Sequence, residues 1–235
     1  MCGRASLTKQ QKELEQRFQA EFYQEDIERY NPLPSYNIAP THIHPVITSA
    51  NPDHFQAFKW GLIPHWAKEA TIGSKMINAR IETILEKPAF KNAISLRRCL
   101  IPFDGFYEWK KIPSDKIPYR ITLNDQGLFA VAGIWEQWDA PNGETIFSFS
   151  VITQSSNDLM KNIHDRMPAI LLPDQEKHWI DKNLSAEEAL SLITSYPSEL
   201  MNAYTISSRI NKVSQNDLHL LEEIPFDRPI QGSLF

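Results

Sequence analysis

The sequence predicts an α+β fold, a single domain with a mainly antiparallel β core flanked by helices. Three observations carry this reading. The middle of the 235-residue chain is a succession of short apolar runs separated by turn signals. Strands and helices do not alternate as βαβ units would. Hydrophobic residues make up 42% of the chain and aromatic residues 11%, enough for a substantial core.

Taken in order, Ser6 or Thr8 is placed to cap a helix running through Phe22, with Leu14, Phe18 and Phe22 on one face. The proline-punctuated stretch 31–40 reads as an extended loop. Strand-like runs follow at Pro45–Thr48 and His54–Trp60, then an aromatic, Gly/Pro-containing loop to Trp66. A short helix is expected near Glu82–Leu85, broken at Pro88, with another turn to Ile94. Six strands are expected at Cys99–Pro102, Phe106–Lys110, Tyr119–Leu123, Leu128–Glu136, Phe147–Thr153 and Ala169–Leu172. Asn142-Gly143 marks a hairpin turn. Ser156 is expected to cap a helix through Ile163, and Ser185 another through Leu192 with Glu188 completing a capping box. A last strand is expected near Ala203–Ser207. The domain should therefore span 2–222, followed by an extended tail, 223–235.

Bulk properties exclude several function classes. No run approaches the ~18 apolar residues of a membrane span, and no basic-then-apolar signal peptide opens the chain, so a cytoplasmic protein is expected. The net charge of −5 argues against a broadly basic nucleic-acid binder, though not against a local basic cleft. The two cysteines, Cys2 and Cys99, form no Cys-x-x-Cys pair. Cys99 lies in an apolar run and reads as a small buried hydrophobe. The seven histidines lack zinc spacing, and no metal or cofactor is expected.

The start, Met1-Cys2-Gly3-Arg4, is the most informative segment. Removal of Met1 would leave Cys2 with a free α-amine two bonds from a thiol. That amine, with a reference pKa of about 7.7–8.0, can attack an aldehyde to give an imine. The thiol can then close a five-membered thiazolidine in an intramolecular step. The same pair would serve an N-terminal nucleophile hydrolase, in which the amine is base for its own thiol.

Other residues offer matching chemistry, each beside a plainer reading. Glu108 lies between Tyr107 and Trp109, where desolvation would raise its pKa and suit it to shuttle protons; it would otherwise be an outward strand residue opposite a lysine. His164 ends a helix-like segment, as a proton carrier or a C-terminal cap. Arg80 and Arg166 can each grip a phosphate, or pair with neighbouring acids. Trp60 and Trp66 can stack on bases, or pack in the core. Asn78 can orient a carbonyl or the N-terminal amine, or close a turn.

These segments, together with Ser35–Thr41 and Arg97–Pro102, resemble the SOS-response-associated peptidase (SRAP) family in order from residue 2 to about 215. The resemblance implies an SRAP-like fold with a barrel-like core. It also implies a DNA-damage protein that binds single-stranded DNA and captures the aldehyde of an abasic site as a thiazolidine on Cys2. In that reading Asn78 holds the amine, Glu108 moves protons, and His164 assists opening of the deoxyribose ring. Arg4, Asn37, Trp60, Trp66, Arg80 and Arg166 shape the cleft or contact the strand, without reading sequence. Peptidase activity would be limited to removal of Met1. The protein would act as a monomer, cytoplasmic and associated with the nucleoid when bound. The ending, with Gln231, Leu234 and Phe235, resembles a sliding-clamp-binding peptide. The alternatives are an N-terminal-nucleophile peptidase or amidase with a separate substrate, and a non-covalent single-strand-binding module.

Overall fold

The computed structural model describes residues 2–30, 33–113 and 115–225. Its strands are β1 (Ala5–Leu7), β2 (Glu21–Phe22), β3 (Ser35–Ile38), β4 (Ile43–Thr48), β5 (Asn51–Trp60), β6 (Asn78–Arg80), β7 (Arg98–Phe103), β8 (Gly105–Ile112), β9 (Asp115–Leu123), β10 (Phe129–Asp139), β11 (Thr145–Ser155), β12 (Arg166–Pro168) and β13 (Met201–Thr205). The α-helices are α1 (Gln11–Phe18), α2 (Lys91–Leu96), α3 (Pro173–Trp179) and α4 (Ala186–Ser191). The fold is α+β, as the sequence predicts.

Five strands close into a barrel in the order β11-β10-β7-β4-β5. The seam is a parallel pairing of β5 with β11, Lys59 opposite Ser148 and Trp60 opposite Phe149. Its interior holds Trp60, Phe103 and Phe149 around His44, whose Nε2 lies 2.8 Å from the Pro102 carbonyl. Burial lowers the His44 pKa to about 4, so this histidine is neutral. Gly133 is required where β10 passes β7, because a Cβ there would sit 2.4 Å from Ile101 Cδ1.

A second sheet, β13-β9-β8-β1-β3, packs on the barrel. Strand periodicity sorts the residues of β8 between two faces. Phe106 belongs to the main core, whereas Tyr107 and Trp109 meet Ile206, Ile210 and Leu220 of the C-terminal segment. Glu108 shares the Phe106 face, and both faces of the strand are covered.

Several elements differ from expectation. The first helix is short because Thr8 is claimed by Asp104, which accepts from its N–H and hydroxyl, leaving Gln10 as N-cap. It ends at Gln19 in left-handed geometry (φ 54°), and Phe22 stacks on Phe55 from a strand, with ring centroids 4.3 Å apart. Ser35–Ile38 is a strand paired with β1 rather than loop. Ser156 caps no α-helix; Asn157 Oδ1 accepts from Met160 N–H and a single 3-10 turn follows. Residues 169–172 form no strand beyond one bridge between Val131 and Ile170; β12 precedes them. Helix α3, with Pro173 at its first position, is an element the sequence pattern does not predict. Ser185 and Glu188 do form the capping box of α4. Gly143 adopts φ +85° between β10 and β11. Gln231, Leu234 and Phe235 lie outside the described residues. Among the described residues, no helix is long and apolar enough to cross a membrane.

Candidate active site

Cys2 precedes β1, which lies between β3 and β8. Its neighbour Arg4 accepts the Tyr107 N–H at 3.0 Å, so residue 2 is registered against β8. Asn78 starts β6, which lies parallel to β11 with Asn78 opposite Val151. From there Asn78 Nδ2 donates to the Cys2 carbonyl at 2.8 Å. Asn78 Oδ1 is buried and has no hydrogen-bond partner among the described residues.

Glu108 is 2% exposed. Its cross-strand neighbour is Tyr119, not a lysine. Burial raises its pKa above the ordinary carboxylate value. The Cys2 thiol is fully buried, and burial together with the Glu108 charge pushes its pKa well above the usual thiol value. It is therefore held as S–H. Glu108 thus interacts electrostatically with Cys2 on one side and His164 on the other.

His164 follows the 3-10 turn Met160–Asn162. Its Nδ1 accepts the Arg166 N–H at 3.0 Å, so in the neutral ring the proton sits on Nε2. The same Nδ1 lies 2.9 Å from an exposed Asp165 carboxylate oxygen. The acceptor role decides the tautomer, since a backbone N–H can only donate. Glu108 and His164 open onto one cavity of about 740 Å³, lined also by Trp109, Lys111, Lys116 and Asn211.

The remaining predicted residues divide. Arg80 ends β6, is exposed, and its side chain makes no hydrogen bond to a described residue. Trp66 is 51% exposed. Arg166, by contrast, is buried in a bidentate pair with Glu82 (2.5 and 2.9 Å) and donates to the Thr153 carbonyl at 2.7 Å. That pair holds the Glu82 pKa below its ordinary value. Trp60 requires a correction. It is fully buried, stacks on Phe149 and donates Nε1 to the Ile77 carbonyl at 3.0 Å, so no face is presented to a base. Arg4 and Asn37 also differ from the expected strand contacts, because both are engaged with the C-terminal segment. Arg4 donates to Asn37 Oδ1 (2.8 Å) and to the Ile210 and Asn211 carbonyls (2.6 and 3.2 Å).

Residues 1–213 match the family described as SOS response associated peptidase (SRAP). The chain belongs to this family. The abasic site processing protein YoqW of Bacillus subtilis (strain 168) is 41% identical over 225 residues, covering 94% of this chain and 99% of that relative. The abasic site processing protein HMCES of Xenopus tropicalis is 35% identical over 226 residues, covering 81% of this chain and 66% of that one. A solved structure from Bacteroides thetaiotaomicron has a TM-score of 0.88 at 33% identity, covering 95% of this chain and all of that one.

The SRAP site contains groups that the sequence reading missed. Glu82 neutralises Arg166, a pairing hinted at only by its place in the same segment as Arg80. Asn211 forms a cavity wall and accepts Trp109 Nε1–H at 2.8 Å. It lies in a segment with no local signal, and only tertiary packing brings it there.

Proposed function

We propose that this protein binds single-stranded DNA and crosslinks to abasic sites through a thiazolidine on Cys2 exposed by removal of Met1. The observation that carries the reading is the meeting of Cys2, Asn78, Glu108 and His164 from four separate segments. The names of the relatives, abasic site processing proteins, support the substrate class.

The chemistry follows from the protonation states. A thiol held as S–H leaves the amine as first nucleophile. The amine attacks the C1 aldehyde of the ring-opened sugar, and loss of one water gives the imine. The thiol sulfur then bonds to the imine carbon and its proton ends on nitrogen, so the net change is loss of one water. Glu108, whose pKa burial raises, supplies and recovers protons at both steps. Asn78 Oδ1 is an acceptor available to the amine. His164, with its proton on Nε2, assists opening of the sugar ring. Ring closure also removes the imine that would otherwise promote β-elimination, so the strand stays intact. Peptidase chemistry is confined to release of Met1. Arg80 and Trp66 are the exposed groups offered to phosphate and base.

The test is an intact-mass measurement on protein lacking Met1, mixed with an oligonucleotide bearing one abasic site and no reductant. An adduct of protein plus DNA minus one water, absent for Cys2→Ala and for undamaged DNA, is expected. No adduct would overturn the reading and favour an amidase with a separate substrate.

A further inference from the structure

The C-terminal segment 206–216 lies against the residues that hold Cys2. Arg4 places Nη1 and Nη2 on the Ile210 and Asn211 carbonyls. Asn37 accepts from Arg4 and donates Nδ2 toward the carbonyls of Ile210 (3.3 Å), Lys212 (3.1 Å) and Gln215 (2.8 Å). Asn216 Oδ1 in turn accepts the N–H groups of Tyr36 and Asn37 at 2.6 and 3.1 Å. Beneath these bonds, Ile206 and Ile210 pack on Tyr107, whose hydroxyl donates to the Tyr36 carbonyl. At the cavity edge Asn211 holds Trp109, the residue after Glu108.

We infer that segment 206–216 is a strap that positions the nucleophile, and that Arg4, Asn37 and Asn216 are positioning residues rather than contacts to the DNA strand. This inference rests on the proposed crosslinking reaction. Two features point the same way. The polar groups of Arg4 and Asn37 are spent on each other and on strap carbonyls, so a phosphate would have to displace them, and burial lowers the Arg4 pKa in the same environment. Arg4 is also two residues from Cys2, and its own carbonyl receives the Tyr107 N–H that registers β1 against the Glu108 strand. A strap that loosens would therefore let the amine drift relative to Glu108, while Arg80, which lies on β6, stays in place.

The experiment separates positioning from binding. Single-turnover adduct formation is measured against DNA concentration for Arg4→Ala, Asn37→Ala and Asn216→Ala. Asn216 is exposed, so its variant carries little folding risk. The expected result is a maximal rate lowered by about 10- to 100-fold, as for a misplacement of the order of 1 Å. Half-saturation and its salt dependence should be unchanged. Millimolar guanidinium at constant ionic strength should partly restore Arg4→Ala. A wild-type maximal rate with weakened binding and a salt slope reduced by about one would overturn the inference and return Arg4 to the phosphate contacts. A readout independent of DNA is the hydrogen exchange of the Tyr107 N–H. It should lose protection in the Asn216 variant, and wild-type protection would refute the strap even if the crosslinking reading had itself failed.

Discussion

Asn78 offers the sharpest test of how the site is held. Replacing it with Ala removes the 2.8 Å bond to the Cys2 carbonyl and leaves that acceptor without its donor. The lost bond is worth about 0.5–1.5 kcal/mol net, and an acceptor left unsatisfied costs about 1–3 kcal/mol. At roughly 2–4 °C per kcal/mol for a chain of this size, the melting temperature should fall by several degrees while the fold survives. The kinetic effect should be larger, because β6 then no longer tethers residue 2. A displacement near 1 Å costs about 10²-fold. Asn78→Asp should be worse than Ala near neutral pH, since a carboxylate would face the carbonyl oxygen. It should partly recover in acid, where the protonated side chain regains a donor. The assay is single-turnover crosslinking at saturating abasic oligonucleotide, with circular dichroism to follow the fold. A folded Asn78→Ala protein whose maximal rate stays within twofold of wild type would refute the idea that this bond positions the nucleophile.

Three further outcomes are expected. Glu108→Gln should slow crosslinking by about 10²–10⁴-fold and, because burial raises the Glu108 pKa, should also change stability with a defined sign. The wild type loses stability as pH rises through that raised pKa, whereas below about pH 4, near the reference value of 4.3, the side chain is neutral in both states. Urea melts should show the Gln variant ahead at pH 8 and level at pH 4; an equal difference at both would exclude the titration. Trp60→Ala should destabilise by about 3–5 kcal/mol, whereas Trp66→Ala should change stability by no more than about 0.5 kcal/mol and weaken single-strand binding; fluorescence titration of folded protein checks the latter, and unchanged affinity removes Trp66 from the strand contacts. Arg98→Met should cost about 3 kcal/mol or more in chemical denaturation, because one buried guanidinium serves the Ile94, Trp179, Asp181 and Leu184 carbonyls; a loss below 1 kcal/mol would mean that water replaces it.

Local chemistry determined much of this protein directly from sequence. Short apolar runs bounded by turn signals located five of the six central strands, because a strand covered on both faces is apolar along its length whatever its partners. Ser185 with Glu188, and Gly143 after Asn142, worked for the same reason: a cap or a tight turn is satisfied within a few residues. Cys2 was legible as chemistry from its position after Met1, and Glu108 because a carboxylate stood between two aromatic residues.

Tertiary structure decided what depends on partners distant in sequence. The closing pair β5–β11, nearly ninety residues apart, made Trp60 a core residue instead of a stacking platform. Thr8 does not cap the first helix because Asp104 takes its N–H and hydroxyl, and Phe22 lies outside it, stacked on the Phe55 ring. Arg4, Arg80 and Arg166 are the arginines that the sequence and the family resemblance offer to phosphates. The fold gives Arg98 and Arg4 to carbonyls, Arg166 to Glu82, and leaves Arg80 exposed. A guanidinium takes whichever acceptors surround it when it is desolvated, and those acceptors come from segments that no local pattern connects.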